Sequence, residues 1–399
     1  MADELITIEQ ARQEVLAMVQ PLQAERVQIA EALDRVLAQT VEAEGNVPPF
    51  SSSAMDGYAL RAAPSGTELR VVGESRAGMP TGHRVGGGEA IRISTGAAVP
   101  AGADAVIRQE DVEEQGASIR ILVDVPAGDN VRPAGEVMAS GTRVLPRGTV
   151  LGPAEIAAAI SAGAGAVMVG RRPRARVLST GDELRDPGKA LGPGEIHDSN
   201  GPMLAALAAH AGAIAAGVER LPDDPVTTER GLARALDDGD VVIVAGGVSV
   251  GPHDHVKPAL SRLDVRERFW RVALQPGKPT WFGTRGRKLV FGLPGNPVSA
   301  AVTFALFVAP AISALQGASQ TAAAAEAVLG EPVRRSRARQ QAIRVRLERR
   351  DGALVAIPNG PQGSHVITSL VGADALALIP TGEGVLEPGT VVGLQPLPR

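Results

Sequence analysis

Three glycine-rich segments in the second half of the chain carry most of the side chains able to do chemistry. STGDEL at 179–184 places Ser179, Thr180, Gly181, Asp182 and Glu183 together, and AGGVSVGPHD at 245–254 holds Gly246, Gly247, Ser249 and Asp254. GLPGNP at 292–297 ends on Gly295, Asn296 and Pro297. Each follows an apolar run that reads as a strand: RARVLST, DVVIV and KLVF. In an open α/β sheet, ligands bind outside the carboxyl ends of the strands. Glycine loops there offer backbone N–H groups to an anion without side-chain bulk. Asn296 and Pro297 suit the start of a helix whose amide end points at its loop. Each loop read alone is more readily a simple tight βα turn; three in one sheet favour an anion site. None is a Walker A loop or a dinucleotide fingerprint, because Gly251 is followed by Pro252 and His253.

Carboxylates collect at the same strand ends: Asp182, Glu183, Asp223, Asp224 and Asp254. Hard oxygen ligands beside phosphates suit Mg²⁺, which keeps several waters and needs one or two carboxylates. For Asp223 and Asp224 a solvated loop charge is an equal reading. His253, Asp254 and His255 make a weak zinc signal and read better as loop residues in solvent. Lys257, Arg271 and Lys278 supply cations nearby, with Lys278 in QPGKP at 275–279. Lys278 is either a surface charge or a holder of phosphate or an oxyanion.

Elements to position these groups follow from periodicity. Residues 174–316 alternate strand and helix, which implies a parallel sheet with crossovers. Ahead of them, residues 7–40 read as helix capped by Thr7, with a second helical stretch at 29–40. VPPFSSSAMDGYA then interrupts helix, and 68–125 gives short β runs separated by turns. LGPAEIAAAISAGAGAVMVG at 151–170 reads as an Ala-rich helix. The last ~75 residues return to β, with Asp351 and Gly352 as a hairpin turn before ALVAI.

Composition removes whole classes. The 399 residues contain no Cys, so disulfide scaffolds, Cys-ligated zinc, iron–sulfur clusters and thiolate nucleophiles are excluded. Nine aromatics (six Phe, two Trp, one Tyr) and a net charge of −4 argue against a nucleic-acid partner. MADELITIEQAR is no signal peptide, and the apolar stretch 300–315 falls short of the ~20 residues of a membrane span. The expectation is a cytoplasmic, soluble protein without a membrane partner.

Taken together, the motifs resemble the MoeA/gephyrin family, the molybdopterin molybdenumtransferases. The likeness runs in the family's order through SSSAMDGYA at 51–59, STGAAVPAGADAVIRQE at 94–110 and NVRPAGE at 130–136. It continues through RPRARVLSTGDEL at 172–184, EIHDSN at 195–200, AGGVSVGPHD, QPGKP and GLPGNPVSA, with a weaker QGSHVITSLVGADALALIP at 362–380. The resemblance implies an elongated, multi-domain α/β plus β subunit. Its parts would be a split helical domain (1–47 and 138–172), a β domain (48–137), a MogA-like parallel-sheet α/β pterin-binding domain (173–318) and a C-terminal β barrel (319–399).

The resemblance also implies a homodimer with its active cleft shared between subunits. Adenylated molybdopterin and molybdate would enter with Mg²⁺, and AMP and molybdenum cofactor would leave. Asp56 of MDGYA and Thr95 of STGA would reach across from the partner subunit. Glu183, Asp223 and Asp254 would face the metal, and Asp182 the pterin. Ser179, Thr180, Gly181, Gly246, Gly247, Ser249, Gly295, Asn296 and Pro297 would cradle pterin or phosphate, while Lys278 and Arg132 would hold anions. Contacts with a MogA-type adenylyltransferase and with recipient molybdoenzymes are implied as well. The dithiolene sulfurs belong to the pterin, so a chain without cysteine suffices.

Three positions depart from the pattern: Val137 where relatives commonly carry Asp, and Arg271 and Gln275 where some carry Lys. Arginine keeps charge and fork geometry, and Gln275 does not. Two other functions remain open on sequence: the preceding adenylyl transfer, because the α/β domain resembles that enzyme too, and a non-catalytic scaffold.

Overall fold

The structure is a computed structural model and describes residues 5–248, 254–319 and 325–398. Between 174 and 315 the alternating runs form a six-stranded sheet. Its spatial order is Ile214–Leu221, Arg174–Thr180, Val241–Ala245, Lys288–Leu293, Trp281–Arg285 and Arg266–Trp270. The first four strands are parallel, and Trp281–Arg285 runs against both neighbours. The parallel sheet with crossovers is thus present, with one antiparallel strand inserted where Gly286, at φ 59°, closes a tight hairpin that no crossover helix interrupts.

Val241–Ala245 is apolar and buried at every position, as a strand covered on both faces must be. Helix Asn200–His210 covers one face through Leu204 and Ala208, and Pro225–Asp238 the other through Leu232 and Leu236. Asp224 caps the latter, its carboxylate accepting from the Thr227 N–H at 2.7 Å. Five of the six phenylalanines sit in the first core, with Phe269, Phe282 and Phe291 stacked in sequence at 5.6 and 4.9 Å. The scarce aromatics are thus concentrated where each buries the most area.

Pro297–Leu315 forms 19 residues of nearly continuous helix, longer than the apolar stretch read from sequence. It is long and apolar enough to cross a membrane by composition, yet 78% of its window is buried within this core.

Helix Ile8–Met18 begins with the expected Thr7 cap, which Gln10 completes as a capping box. The sequence reading places residues 1–47 with the split domain; Ile8, Ala11 and Val15 instead pack into the α/β core. No second helix forms over 29–40. A single 3₁₀ turn spans Ile29–Glu31, after which Asp34 takes φ 60°. The N–H groups of Asp34 and Leu37 donate to Leu151 and Thr149 across the chain rather than back along a helix. The Ala-rich helix is shorter than read, Pro153–Ser161, because Gly163 at φ 102° turns the chain into strand Ala166–Gly170. That strand pairs with Ala24–Gln28, and Ile29 and Leu37 share an apolar cluster with Leu151 and Val169.

Residues 57–121 make a second six-stranded sheet in the order Ala105–Arg108, Gly57–Leu60, Glu89–Ile93, Glu68–Ser75, Ser118–Ile121, Val112–Gln115. The C-terminal strands close on themselves. Gln340–Arg350 pairs with Ala353–Pro358, then Ala325–Leu329, Val391–Pro396 and Ala375–Ile379 follow, and the last returns to Gln340–Arg350. Closure removes the free edges of this five-stranded barrel. One strand is added from outside: Leu274–Gln275 of the α/β unit lies parallel to Gln340 and Gln341.

Candidate functional site

The chain passes from Arg174–Thr180 outward to Ile214–Leu221, then back to Val241–Ala245 on the opposite side. This reversal opens a crevice between the carboxyl ends of Arg174–Thr180 and Val241–Ala245, the position where such sheets bind ligands. All three glycine loops meet there. Gly246 has φ 90°, its N–H donates to Leu293 O at 3.0 Å, and a Cβ on it would lie 2.8 Å from Thr180 Oγ1. Gly247 has φ 66°, and a Cβ would lie 2.6 Å from Val256 Cγ2. Gly295 sits at ordinary contact distance, its Cβ position 3.9 Å from the Gly246 Cα, so the two loops meet and the steric demand for glycine falls on Gly246 and Gly247.

Carboxylates line the outer rim. Asp182 and Asp223 hold each other's loops: the Asp223 N–H donates to Asp182 Oδ1 at 3.0 Å, and the Asp182 N–H to Asp223 Oδ2 at 3.4 Å. Each keeps one oxygen uncommitted by this exchange. Glu183 folds over Gly181, where a Cβ would lie 2.4 Å from its Oε2. The neighbouring Asp224 carboxyl is held below its ordinary range by the Thr227 hydroxyl and N–H, with a smaller contribution from the His255 imidazole. Asp254 stands near Lys257, whose ammonium is pulled below its usual value mainly by burial, while Asp254 opposes that shift. Among the described residues no three His, Asp or Glu side chains gather at metal-holding distance. Glu183, Asp223 and Asp254 therefore do not form a ready cage, and the closest pairing is Asp182 with Asp223. Two uncommitted carboxylate oxygens, on an exposed Asp182 and a half-buried Asp223, would suit Mg²⁺ completed by waters and phosphate oxygens, and not a metal enclosed by protein alone.

Beside the crevice lies a cavity of about 390 Å³ between the α/β unit and the barrel. Gln275, Lys278, Asn296 and Ser299 line one wall; Arg339, Arg344, Gln362 and Ser364 line the other. Arg344 is 1% exposed, and burial pulls its guanidinium down to about 10. It donates to Ser369 Oγ at 3.0 Å and to the carbonyls of Pro361 and Gly363 at 3.4 and 3.2 Å, which anchors the barrel loop that carries Ser364. Asn296 occupies the N-cap position but its side chain does not cap. Its Nδ2 donates to Ser364 Oγ at 3.2 Å, so the residue clasps the two walls instead. With three cations and five polar side chains on these walls, the cavity suits a small oxyanion.

Comparison with known proteins now decides the family. Residues 6–163 match the MoeA N-terminal region (domain I and II), 176–314 a probable molybdopterin binding domain, and 326–397 the MoeA C-terminal region (domain IV). A molybdopterin molybdenumtransferase of Haemophilus influenzae is 35% identical over 98% of both chains. The chain belongs to the MoeA family. A Staphylococcus aureus molybdopterin molybdenumtransferase is 30% identical, covering 98% of this chain and 95% of that one. The crystal structure of a MoeA protein from Pyrococcus horikoshii superposes with a TM-score of 0.83 at 30% identity, over 98% of this chain and 99% of that one.

MoeA motifs of the first half form a cluster on their own sheet. The Thr95 N–H donates to Asp56 Oδ1 at 2.8 Å, and strand Val131–Arg132 pairs with Ser52–Ser53 beside it. Asp56, Thr95 and Arg132 are all exposed, as are Phe50 and Met55. Ser249, with His253, lies outside the described residues. Ser179 is fully buried, its hydroxyl without a protein partner beneath Gly201.

Several residues around the crevice and the cavity escape a reading by strand-end loops. Asn200 donates from Nδ2 to Gly295 O at 2.6 Å, while its Oδ1 is buried without a donor and can accept from a ligand N–H. EIHDSN at 195–200 was the available signal, but it carries no glycine. Arg339, Arg344 and Ser364 come from the barrel, far away in sequence, and no local pattern joins them to QPGKP. Trp270 is the third omission. Its Nε1 donates to Val248 O at 3.2 Å, with Lys257 Nζ 3.2 Å and Arg271 Cζ 4.0 Å from the ring centroid. Arg271 holds φ 70°, unusual for a residue with a Cβ, and so directs its guanidinium onto the indole.

Proposed function

We propose that the chain inserts molybdenum from molybdate into adenylated molybdopterin, releasing AMP and molybdenum cofactor. The observation that carries this reading is the adjacency of two anion sites of different character. One is a crevice of backbone amides suited to phosphate and pterin. The other is a cation-lined cavity suited to a tetrahedral dianion. Gly246, Gly247, Gly295 and Thr180 would receive the pterin phosphate, with Asn200 reading a pterin N–H group. Lys278 and Arg339 would hold molybdate, and Arg344 would keep the far wall in place. Gln275 replaces one lysine in that wall, and Arg339 makes good the charge.

Asp182 and Asp223 would hold Mg²⁺ through their uncommitted oxygens, with Glu183 and Asp254 within the same rim. When bound, the ion supplies charge neutralisation at the phosphates. The residues themselves act by placement: both anions are fixed side by side, which removes the entropy of encounter. A water or molybdate oxygen adds to phosphorus as the adenylate P–O–P bond breaks, and charge on the departing AMP is met by fixed N–H donors already in place. No protein nucleophile is needed.

We further propose a homodimer in which Asp56, Thr95 and Arg132 of a second copy complete the cleft. Their exposure and the uncovered Phe50 and Met55 beside them support a surface that a second copy covers. The cytoplasm is the proposed location. Domain limits of 48–137 and 319–399 are proposed for the β domain and barrel.

The test is direct. Adenylated molybdopterin, Mg²⁺ and molybdate together should give one AMP per pterin, with none when molybdate is left out. Absence of AMP under the full conditions would overturn the reading, and a requirement for ATP would indicate the preceding adenylyl transfer.

One residue is expected to act on affinity alone. Trp270→Phe keeps an aromatic ring beside Lys257 but loses the hydrogen bond to Val248. A neutral hydrogen bond contributes about 1 kcal/mol, so pterin should bind roughly 3- to 10-fold more weakly with kcat little changed. Titration followed by the emission of the remaining Trp281 measures this.

A further inference from the structure

The oxyanion cavity is one-sided in charge. Lys278, Arg339 and Arg344 line it, and among the described residues on its walls there is no Asp, Glu or His. None of the three cations makes an ion pair within the described residues. Arg344 shows the consequence. It is buried with the Ser369 hydroxyl and two backbone carbonyls as partners, and burial pulls its guanidinium down to about 10.

Strong acceptors on these walls are as scarce as negative charge. Gln341 Oε1 already takes the Ser336 N–H at 3.0 Å, and Gln362 Oε1 takes the Arg344 N–H at 3.0 Å. Ser364 Oγ accepts from Asn296 Nδ2 at 3.2 Å, which leaves its own proton to donate. Apart from the two serine hydroxyls, which donate as readily as they accept, the side-chain acceptors left are the neutral amide oxygens of Gln275 and Asn296. Gln275 is held in register with Gln341 by the ladder that joins the two walls.

Positive charge and N–H donors therefore dominate the surroundings of any anion held here. An unprotonated tetrahedral dianion presents acceptor oxygens on every side and matches them. Hydrogenphosphate has the charge of sulfate and nearly its size, but one of its oxygens carries a proton. That proton would stand in the field of three cations, facing walls on which no carboxylate waits to accept it. A donor left unmet after leaving water costs about tenfold in affinity or more. We propose that the cavity selects by proton count: it takes tetrahedral dianions that carry no proton, molybdate, tungstate and sulfate alike, and turns hydrogenphosphate away. This rests on the reading that the cavity holds the molybdate. Sulfate then competes with the substrate, and phosphate does not. Gln275 is the position to test, because Gln275→Glu exchanges one amide nitrogen for oxygen and supplies the missing carboxylate at unchanged size.

Calorimetry without pterin reads the anion alone. At about pH 8 inorganic phosphate is chiefly a dianion with one P–OH, which makes sulfate its matched control. Molybdate should bind the protein, and Lys278→Ala should weaken that binding by more than about tenfold. Because phosphate also suits the amides of the crevice, the quantity compared is displacement of bound molybdate at constant ionic strength. Sulfate should displace it at roughly one-tenth of the phosphate concentration or less. Gln275→Glu should weaken sulfate and narrow that gap by accepting the P–OH. Phosphate displacing molybdate as well as sulfate does, or a gap just as wide in Gln275→Glu, would overturn the proposal. Molybdate binding indifferent to Lys278→Ala would overturn it too. AMP release is assayed apart: its absence, with the displacement order intact, would remove the reaction and leave the selectivity standing.

Discussion

Lys278→Ala is expected to slow molybdate-dependent AMP release by about 100-fold, with the loss concentrated in the KM for molybdate. A charge-assisted hydrogen bond to an oxyanion in a partly closed site is worth about 2–4 kcal/mol, which corresponds to roughly 30- to 1000-fold. Lys278 is exposed, so the substitution leaves the core untouched and the melting temperature should hold. Arg339 and Arg344 remain in the cavity, which sets a floor under the residual rate. Lys278→Arg should recover part of the loss, because the charge survives while its reach and fork geometry change. Initial rates across a molybdate series separate KM from kcat. An unchanged KM for Lys278→Ala would remove the oxyanion from this cavity.

Gly57→Ala carries the largest expected cost to folding. Gly57 opens a strand flanked on both sides, by Glu89–Ile93 and by Ala105–Arg108. A Cβ there would stand 1.9 Å from the Ile107 carbonyl oxygen, a backbone atom that cannot rotate away. Ladder bonds must part, so a loss of about 3 kcal/mol and a clear fall in melting temperature are expected. The consequence reaches chemistry because Asp56 is the preceding residue. Gln109 N–H donates to the Asp56 carbonyl at 3.1 Å, and the Thr95 N–H to its carboxylate, so a displaced strand moves both. Activity should fall further than stability at temperatures where the variant is still folded. Thermal denaturation paired with AMP release checks both; a variant as stable as the parent would mean that the strand accommodates a methyl group.

The α/β unit was open to sequence reading because its strands carry short apolar runs, VVIVA at 241–245 most plainly, set off by turn residues such as Gly181, Gly246 and Pro294. Ile214–Leu221, read as IAAGVERL, forms with those same limits. The three anion loops were legible because glycine after a buried strand leaves a mark in sequence, with positive φ at Gly181, Gly246 and Gly247. Contacts made across the chain left none. Residues 29–40 carry apolar spacing compatible with helix, but their N–H groups find Leu151 and Thr149, and that competition is invisible locally. Trp270 reads as a strand residue until its indole N–H is seen on Val248. The oxyanion cavity shows the limit most plainly: QPGKP stood out, whereas Arg339, Arg344 and Ser364 become partners only once the barrel has closed.

The strand Leu274–Gln275 contributes its hydrogen bonds to the barrel, not to the sheet beside it. The walls of the oxyanion cavity therefore share one ladder and are registered to each other by backbone rather than by docking of side chains. A pterin-binding unit of this kind cannot be lent to another protein intact. Cut free, it would carry away its cradle, lose half of its oxyanion wall and expose a raw strand edge. Any relative that works without the barrel must build that second wall from something else.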